Sequence, residues 1–322
     1  MPRPVLALDI GGTKLTAGVI TPEGEVMEHC LRPTDAGASP PEILETLLEM
    51  AEEVLSQAPA EWNQLAGIGL SFGGPVDFTS GRTITCHHLA GWEGVPLRHL
   101  VAERAGLPVV MDNDANAAAL GETAFGAGKG CRHLLYLTVS TGIGAGLILD
   151  GEVYRGANSM AGEMGHMVVA PGGPVCTCGR RGCLEAVAAG PAIARAAREA
   201  LAHEPESVLA AVPRSQLTAR HVAEAAESDA LAARVMTQVG EYLGMAIACA
   251  VNVLNPEIVV VGGGVSQAGD LVLAPARKVV AGLAAAESGR HLRIVAGELD
   301  PLAALLGAAA LALAEGGPAE SR

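Results

Sequence analysis

Short apolar runs ending on glycine recur along the chain, and the order in which they come is repeated. "PVLALDI" and "LTAGVI" flank "GGTK", and "EVMEHC" follows after "TPEG". Runs of this length between turn residues predict three strands. From Pro41 to Ala58 the period changes: Ile43, Leu44, Leu47, Leu48, Val54 and Leu55 share one face and the glutamates the other, which predicts a helix. "LAGIGLSFGG" reads as a strand ending in a glycine turn. "PLRHLVAERAG" reads as a helix closed by Gly106, and "LPVVMD" as the next strand. After Asn113 the order restarts. "NDANAAALGETAFG" is helical, "HLLYLTVS" and "LILDGEVYR" enclose the turn "TGIGAG", and a long helix from about Asp229 to Leu254 stops at "NP". "EIVVVGGGVS" and "LRIVAG" are the last strands. The pattern predicts an α/β duplication with a central cleft. The small lobe is 1–112 and the large lobe 113–300, and the final helix, about 301–315, packs back on the small lobe.

Half of the residues are apolar but only 2% are aromatic, so the core is built from Ala, Val, Leu and Ile. The net charge of −14, with no dense Lys/Arg run, argues against nucleic acid or an anionic membrane as partner. The apolar stretch Leu302–Ala314 falls short of the ~20 residues that span a bilayer. No signal peptide is read, and a cytoplasmic location is expected. Cys30, Cys86, Cys131 and Cys249 stand alone and are expected to be small buried hydrophobes.

Three glycine turns follow apolar strands. In "DIGGTK", Gly11 and Gly12 let backbone N–H groups approach a phosphate. Thr13 and Lys14 add donors, and Asp9 is placed to hold magnesium. The competing reading is a plain hairpin with left-handed glycines. In the second turn Ser140, Thr141, Gly142 and Gly144 offer the same chemistry. The third, Gly262 to Ser266, includes Gly263 and Gly264. Ligands of open α/β sheets bind at this strand edge. Asp112, Asn113 and Asp114 stand where a strand becomes a helix. Asp114 is either an N-cap or a carboxylate that accepts a proton from an attacking alcohol, and Asn113 suits a polyol.

His166, Cys176, Cys178 and Cys183 have the spacing H-x9-C-x-C-x4-C, a donor set for tetrahedral zinc. Four protein ligands leave no open position, so the site is expected to be structural. Glu163 and Glu185 flank it, and a clamp there would hold both near one place as acceptors for sugar hydroxyls.

"DIGGTK", "NDANAAALGE", "STGIGAG" and "GEMGHMVVAPGGPVCTCGRRGCLEA" resemble the ROK family of sugar kinases and repressors, and most of all its bacterial glucokinases, from Val5 to about Leu313. The resemblance implies the actin-like, ribonuclease-H-like ATPase fold. It implies ATP across "DIGGTK" and "STGIGAG", magnesium near Asp9, and Asp114 as base on the sugar 6-hydroxyl. It also implies sugar contacts at Gly74, Asn113, Asp114, Glu163, His166 and Glu185, with one His166 nitrogen on zinc and the other toward the sugar. The assembly it implies is a homodimer or homotetramer. The reaction it implies is ATP-dependent conversion of glucose to glucose 6-phosphate, with N-acetylglucosamine, N-acetylmannosamine and fructose kinases as alternatives. The proline after Gly74 favours glucose, whereas His88 replaces a frequent asparagine. Repressors of the family carry a helix-turn-helix ahead of this body. Only eight residues precede Asp9, so a kinase is expected rather than a repressor or a non-catalytic sensor.

Overall fold

The computed structural model describes residues 3–58, 60–86 and 89–315. His88 lies outside them. The first sheet begins with β1 (Val5–Ile10), β2 (Lys14–Ile20) and β3 (Val26–Pro33), an antiparallel meander, and β4 (Ile68–Phe72) runs parallel to β1. A small hairpin, β5 (Val76–Asp77) with β6 (Arg82–Thr83), leads on to β7 (Val109–Asn113), the parallel edge strand. The spatial order is β3-β2-β1-β4-β7. The second sheet contains β8 (Leu134–Val139), β9 (Ile143–Leu149), β10 (Glu152–Val153), β11 (Ile258–Gly262) and β12 (Arg293–Ala296). Its order, β10-β9-β8-β11-β12, repeats the first, with the same antiparallel and parallel pairings. The duplication expected from the strand order is therefore present.

The central strands read as continuous apolar runs because both faces are covered. Leu6, Leu8 and Ile10 face α1 (Pro40–Gln57) and α2 (Leu97–Ala105), while Val5 and Ala7 face the other way. Pro40 starts α1 with its φ pre-set, and the Glu42 carboxylate accepts from the Ser39 N–H at 2.7 Å. Gly106 ends α2 in the left-handed region.

Two helices lie between the sheets. The first, α3 (Asp114–Phe125), packs on the second sheet through Ala118 and Ala119. The chain then adds α4 (Leu184–Ala188), α5 (Gly190–Ala200), α6 (Ala219–Ala225), α7 (Ala230–Leu254), α8 (Asp270–Leu283) and the short α9 (Ala286–Gly289). The last helix, α10 (Ala303–Glu315), packs on the first sheet, where Leu305, Ala308, Ala309 and Ala312 join Val5, Ala7 and Ile20. The two helices cross where a Cβ on Gly121 would stand 2.8 Å from the Gly307 nitrogen. Added Cβ atoms would also strike the Ala308 carbonyl from Gly69 and the Ala115 carbonyl from Gly146. Glycines inside strands here mark close helix approach. Asn255, left-handed at φ 48°, ends α7 before Pro256. Among the described residues no helix is long and apolar enough to cross a membrane.

The lone cysteines depart from expectation. Cys30, Cys86 and Cys131 are only partly buried and Cys249 is exposed. Helical period turns Cys249 to the outer face of α7, and the Cys131 sulfur accepts from Arg293 Nη2 at 3.1 Å.

Candidate active site

The register of the first sheet aligns Thr16, Asp9, Ser71 and Asp112 in one row across four strands. All four are buried. Ser71 Oγ donates to Asp9 Oδ1 at 2.8 Å, and burial, the dominant cause, raises the Asp9 carboxyl. Directly beside Asp9 in register, Thr16 Oγ1 is buried with no partner. A buried carboxylate next to an unsatisfied hydroxyl is a donor set that fits a hydrated magnesium ion.

The turn after β1 is a tight hairpin. The Gly11 N–H donates to the Lys14 carbonyl at 2.9 Å, and a Gly11 Cβ would sit 2.9 Å from that oxygen. Neither Gly11 nor Gly12 adopts positive φ, so the left-handed hairpin considered above is not formed. Thr13 is exposed at the tip and its carbonyl accepts from Thr34 N–H at 3.0 Å. Lys14 Nζ donates to the Pro301 carbonyl at 3.0 Å, so it crosses to the chain entering α10. Gly74 lies in the turn after β4, where a Cβ would meet the Thr85 carbonyl at 2.7 Å.

At the β7–α3 corner Asn113, not Asp114, is the N-cap: its Oδ1 accepts from the Asn116 N–H at 2.9 Å. That leaves Asp114 at the first helical position. Its Oδ1 accepts from the Ala115 N–H at 2.8 Å and from Asn113 Nδ2 at 2.9 Å. A helix N-terminus stabilises a carboxylate. Desolvation and the nearby negative charges of Asp9 and Glu163 outweigh it, and the carboxyl is pushed up to about 7. Asp114 is therefore poised near neutrality, the range in which a general base works best.

The second turn is shorter than its sequence suggests. Ser140 N–H donates to the Gly142 carbonyl at 2.9 Å, and Ile143 already belongs to β9. Ser140 and Thr141 are exposed. Gly144 pairs within the sheet with Thr138, and a Cβ on it would approach Ala115 Cβ at 3.2 Å. Gly144 thus makes room for α3 beside Asp114 and is not part of a turn. Glu185 closes on this region: Oε2 accepts from the Ile143 N–H at 3.1 Å and Oε1 from Thr177 Oγ1 at 2.9 Å. In the third turn Gly263 has φ 84° and its N–H donates to Asp300 Oδ2 at 2.8 Å, while Gly264 faces open space.

Thr177 sits between two of the cysteines, on a hairpin tip where Cys176 N–H donates to the Arg180 carbonyl at 2.7 Å. The ligand atoms of His166, Cys176, Cys178 and Cys183 all lie within 4.8 Å of one another. Cys178 and Cys183 sulfurs are 3.7 Å apart, and His166 Nδ1 is 3.6 Å from Cys176 Sγ. Sulfurs on a zinc tetrahedron with bonds of about 2.3 Å stand about 3.8 Å apart, so the quartet fits that ion. The backbone N–H of Arg180 draws the Cys178 thiol down to about 6, toward the thiolate that ligates. The other imidazole nitrogen, His166 Nε2, faces Glu163 Oε2 at 3.8 Å.

Sequence reasoning missed two carboxylates, Glu122, which is buried, and Asp300, which is half-buried. Glu122 is fully buried and accepts from the N–H groups of Leu299 at 3.0 Å and Ala127 at 2.9 Å. Asp300 accepts from Gly263 and Ser266. Burial raises both carboxyls. For Glu122 a signal existed, an acid on the apolar Ala118–Ala119 face of a helix. For Asp300, an Asp-Pro pair in the turn ahead of α10, none did.

The chain matches the ROK family over residues 5–315. It belongs to that family. A glucokinase of Halalkalibacterium halodurans is 40% identical over 85% of this chain and 84% of its own length. A glucokinase of Thermotoga maritima is 35% identical over 95% of this chain and 96% of its own. Among solved structures, a ROK family glucokinase from Streptomyces griseus in complex with glucose and AMPPNP superposes with a TM-score of 0.84, at 33% identity, over 95% of this chain and 98% of the other. The fold of this ROK chain is the actin-like ATPase fold expected above.

Proposed function

We propose that this ROK chain transfers the terminal phosphoryl group of ATP to the 6-hydroxyl of glucose, giving glucose 6-phosphate. The observation that carries the reading is Asp114: a cleft carboxylate on the first turn of α3, with Asp9 and Glu163 bearing on it and its proton affinity raised to about 7. Asn113 and Glu163 orient the sugar, and Asp114 accepts the hydroxyl proton as the oxygen attacks in line. Asp9 and the Thr16 hydroxyl would hold magnesium, which when bound would supply charge neutralisation on the phosphates, with the Lys14 ammonium close enough to act on the same carboxylate. The backbone of the Ser140–Gly142 turn and the open edge at Gly264 hold the nucleotide. Such groups lower the barrier by positioning and electrostatics, with little covalent chemistry.

The His166 quartet binds a structural zinc ion in this reading. The link from that site to the sugar is direct. Thr177 pins Glu185 Oε1, and Glu163 faces His166 Nε2 across 3.8 Å, a gap that a bridging sugar hydroxyl can fill. The lobes are assigned as 3–112 with α10, and 113–300, closing over the sugar. Free thiols and an ATP substrate suit the cytoplasm.

The test is ADP release from MgATP with glucose, mannose, fructose, N-acetylglucosamine and N-acetylmannosamine in turn. Glucose is expected to give the highest kcat/KM. Turnover with an N-acetyl sugar ahead of glucose would refute the substrate assignment, and no turnover with any sugar would refute the kinase reading.

A further inference from the structure

Among the described residues one ion pair joins residues 1–112 to residues 113–300, and it is the most buried pair. Arg155, just after β10, donates from Nε to Asp112 Oδ2 at 2.7 Å, with side chains 22% and 2% exposed. The other ion pairs each stay inside one lobe. The Arg155 guanidinium carbon also stands 3.6 Å from the centroid of the Phe78 ring, on the first lobe's small hairpin. Four residues on, Ser159 Oγ accepts from the Phe78 N–H at 3.3 Å. The loop then closes on itself, Ala161 N–H to the Arg155 carbonyl at 3.1 Å, and delivers Glu163 and His166.

What Arg155 holds on the other side is the corner that bears the base. Asp112 Oδ1 accepts from the Asn113 N–H at 2.8 Å and from Asn116 Nδ2 at 2.9 Å. One oxygen of this carboxylate therefore orients the start of α3, and the other is neutralised from across the cleft. A buried carboxylate stripped of its cation is strongly destabilised. It can recover solvation only by turning away from Asn113 and Asn116.

We propose that Arg155 is a positioning residue: paired with Asp112 and stacked on Phe78, it clasps the lobes shut and thereby fixes the Asn113–Asp114 corner for phosphoryl transfer. The proposal rests on the reading of Asp114 as base. It makes the corner competent only when the loop carrying Glu163 is docked, so sugar engagement and base alignment are one event.

The test compares kcat, both KM values and thermal unfolding for Arg155→Met, Asp112→Asn and the double variant. A misplacement of about 1 Å costs about 10²-fold in rate, so Arg155→Met is expected to lose about that much kcat. The KM for MgATP is expected to stay within about threefold, because the clasp does not touch the Asp9 turn. The decisive readout is rescue. Asparagine at 112 keeps the acceptor for Asn113 and Asn116 but needs no cation, so the double variant is expected to regain at least about tenfold of the lost kcat. A folded Arg155→Met with wild-type kcat overturns the proposal, and so does a double variant no faster than the single. If Arg155→Met does not fold, Arg155→Lys keeps the cation that the buried Asp112 carboxylate requires while losing the flat stack on Phe78, and it is expected to fall at most about tenfold below wild type. A folded Lys variant slowed as much as 10²-fold would also overturn it. Asp114→Asn, measured alongside, separates the two readings. If it turns over normally the base assignment fails whatever Arg155 does, and if it is inactive while Arg155→Met is fast the clasp alone fails.

Discussion

In the first sheet, the row next to the C-terminal end of β1 reads Thr16, Asp9, Ser71, Asp112. In the second sheet, the matching row at β8 reads Gly144, Thr138, Gly262. The strand order and pairing directions are the same in both. What differs is the use of the space in front of the row. In the first sheet it is filled with carboxylates that face the cleft. In the second it is emptied so that other parts of the protein can enter: α3 through Ala115 against Gly144, and Asp300, whose Oδ2 would stand 3.0 Å from a Cβ on Gly262. One duplicated frame thus supplies charge from one half and room for packing from the other. A glycine at a strand end is not by itself a phosphate contact, and neither is a strand-end turn.

That contrast is broken most sharply by swapping polarity at matched positions. Asp9→Asn is expected to lower kcat/KM for MgATP by about 10²-fold or more, since charge neutralisation of the phosphates is the main electrostatic device of this reaction. Thr138→Val, at the equivalent position of the second sheet, is expected to change it by less than about threefold. Steady-state kinetics on the two variants decides, and equal losses would erase the distinction between the halves.

The cluster of three cysteines and His166 belongs wholly to the second half, so its loss tests whether that half serves the sugar through structure. Cys178→Ala is expected to lose bound zinc, read by atomic absorption. Its glucose affinity is expected to fall about tenfold or more by calorimetry, because Thr177 and Glu185 are no longer held. Undiminished glucose affinity in a zinc-free variant would disconnect the two.

The helices between the sheets give a smaller, purely structural effect. Gly307→Ala forces a methyl into the Ala117 carbonyl of α3. It is expected to cost about 1–3 kcal/mol by denaturant unfolding. A neutral result would mean that the α3–α10 crossing is loose.

The last comparison is a pH dependence of stability. The Asp114 carboxyl lies at about 7 in the folded protein against an ordinary 3.8. The folded chain therefore keeps a proton that the unfolded chain releases, and this group's contribution is full below about 4 and lost as pH rises through 7. Asp114→Asn removes the loss. Its melting temperature, taken without magnesium, is expected to exceed that of the wild type more at pH 8 than at pH 5. A gap that shrinks with rising pH would contradict the raised carboxyl.

The repeated strand–turn–strand unit, the long helix ending at Leu254 and the clustering of His166 with Cys176, Cys178 and Cys183 were all legible in the chain, because each depends on residues close in sequence. Helices α4, α5, α6 and α8 were missed. Helices α4 and α6 are too short for a helical period to show, whereas α5 and α8 do carry an amphipathic face, in Ala192, Ile193 and Ala197 and in Val272, Leu273, Ala276 and Val280, that the reading passed over. The Arg155–Asp112 pair spans 43 positions and the Glu122–Leu299 bond 177. No local pattern encodes such contacts; they follow from how the two sheets are brought together. Of the two readings open for Asp114, the N-cap one falls to the neighbouring Asn113, since Asn and Asp are nearly equal caps and only the backbone shows which one precedes the helix.

The central claim is that Asp114 takes the proton and does not merely hold the sugar. The most direct measurement is Asp114→Asn assayed for both glucose binding and turnover. The account expects glucose affinity within about threefold of wild type with kcat lower by about 10²–10⁴-fold, and in the wild type a kcat/KM that falls as pH drops below about 7. An asparagine variant that binds glucose and still phosphorylates it at near wild-type rate would contradict it.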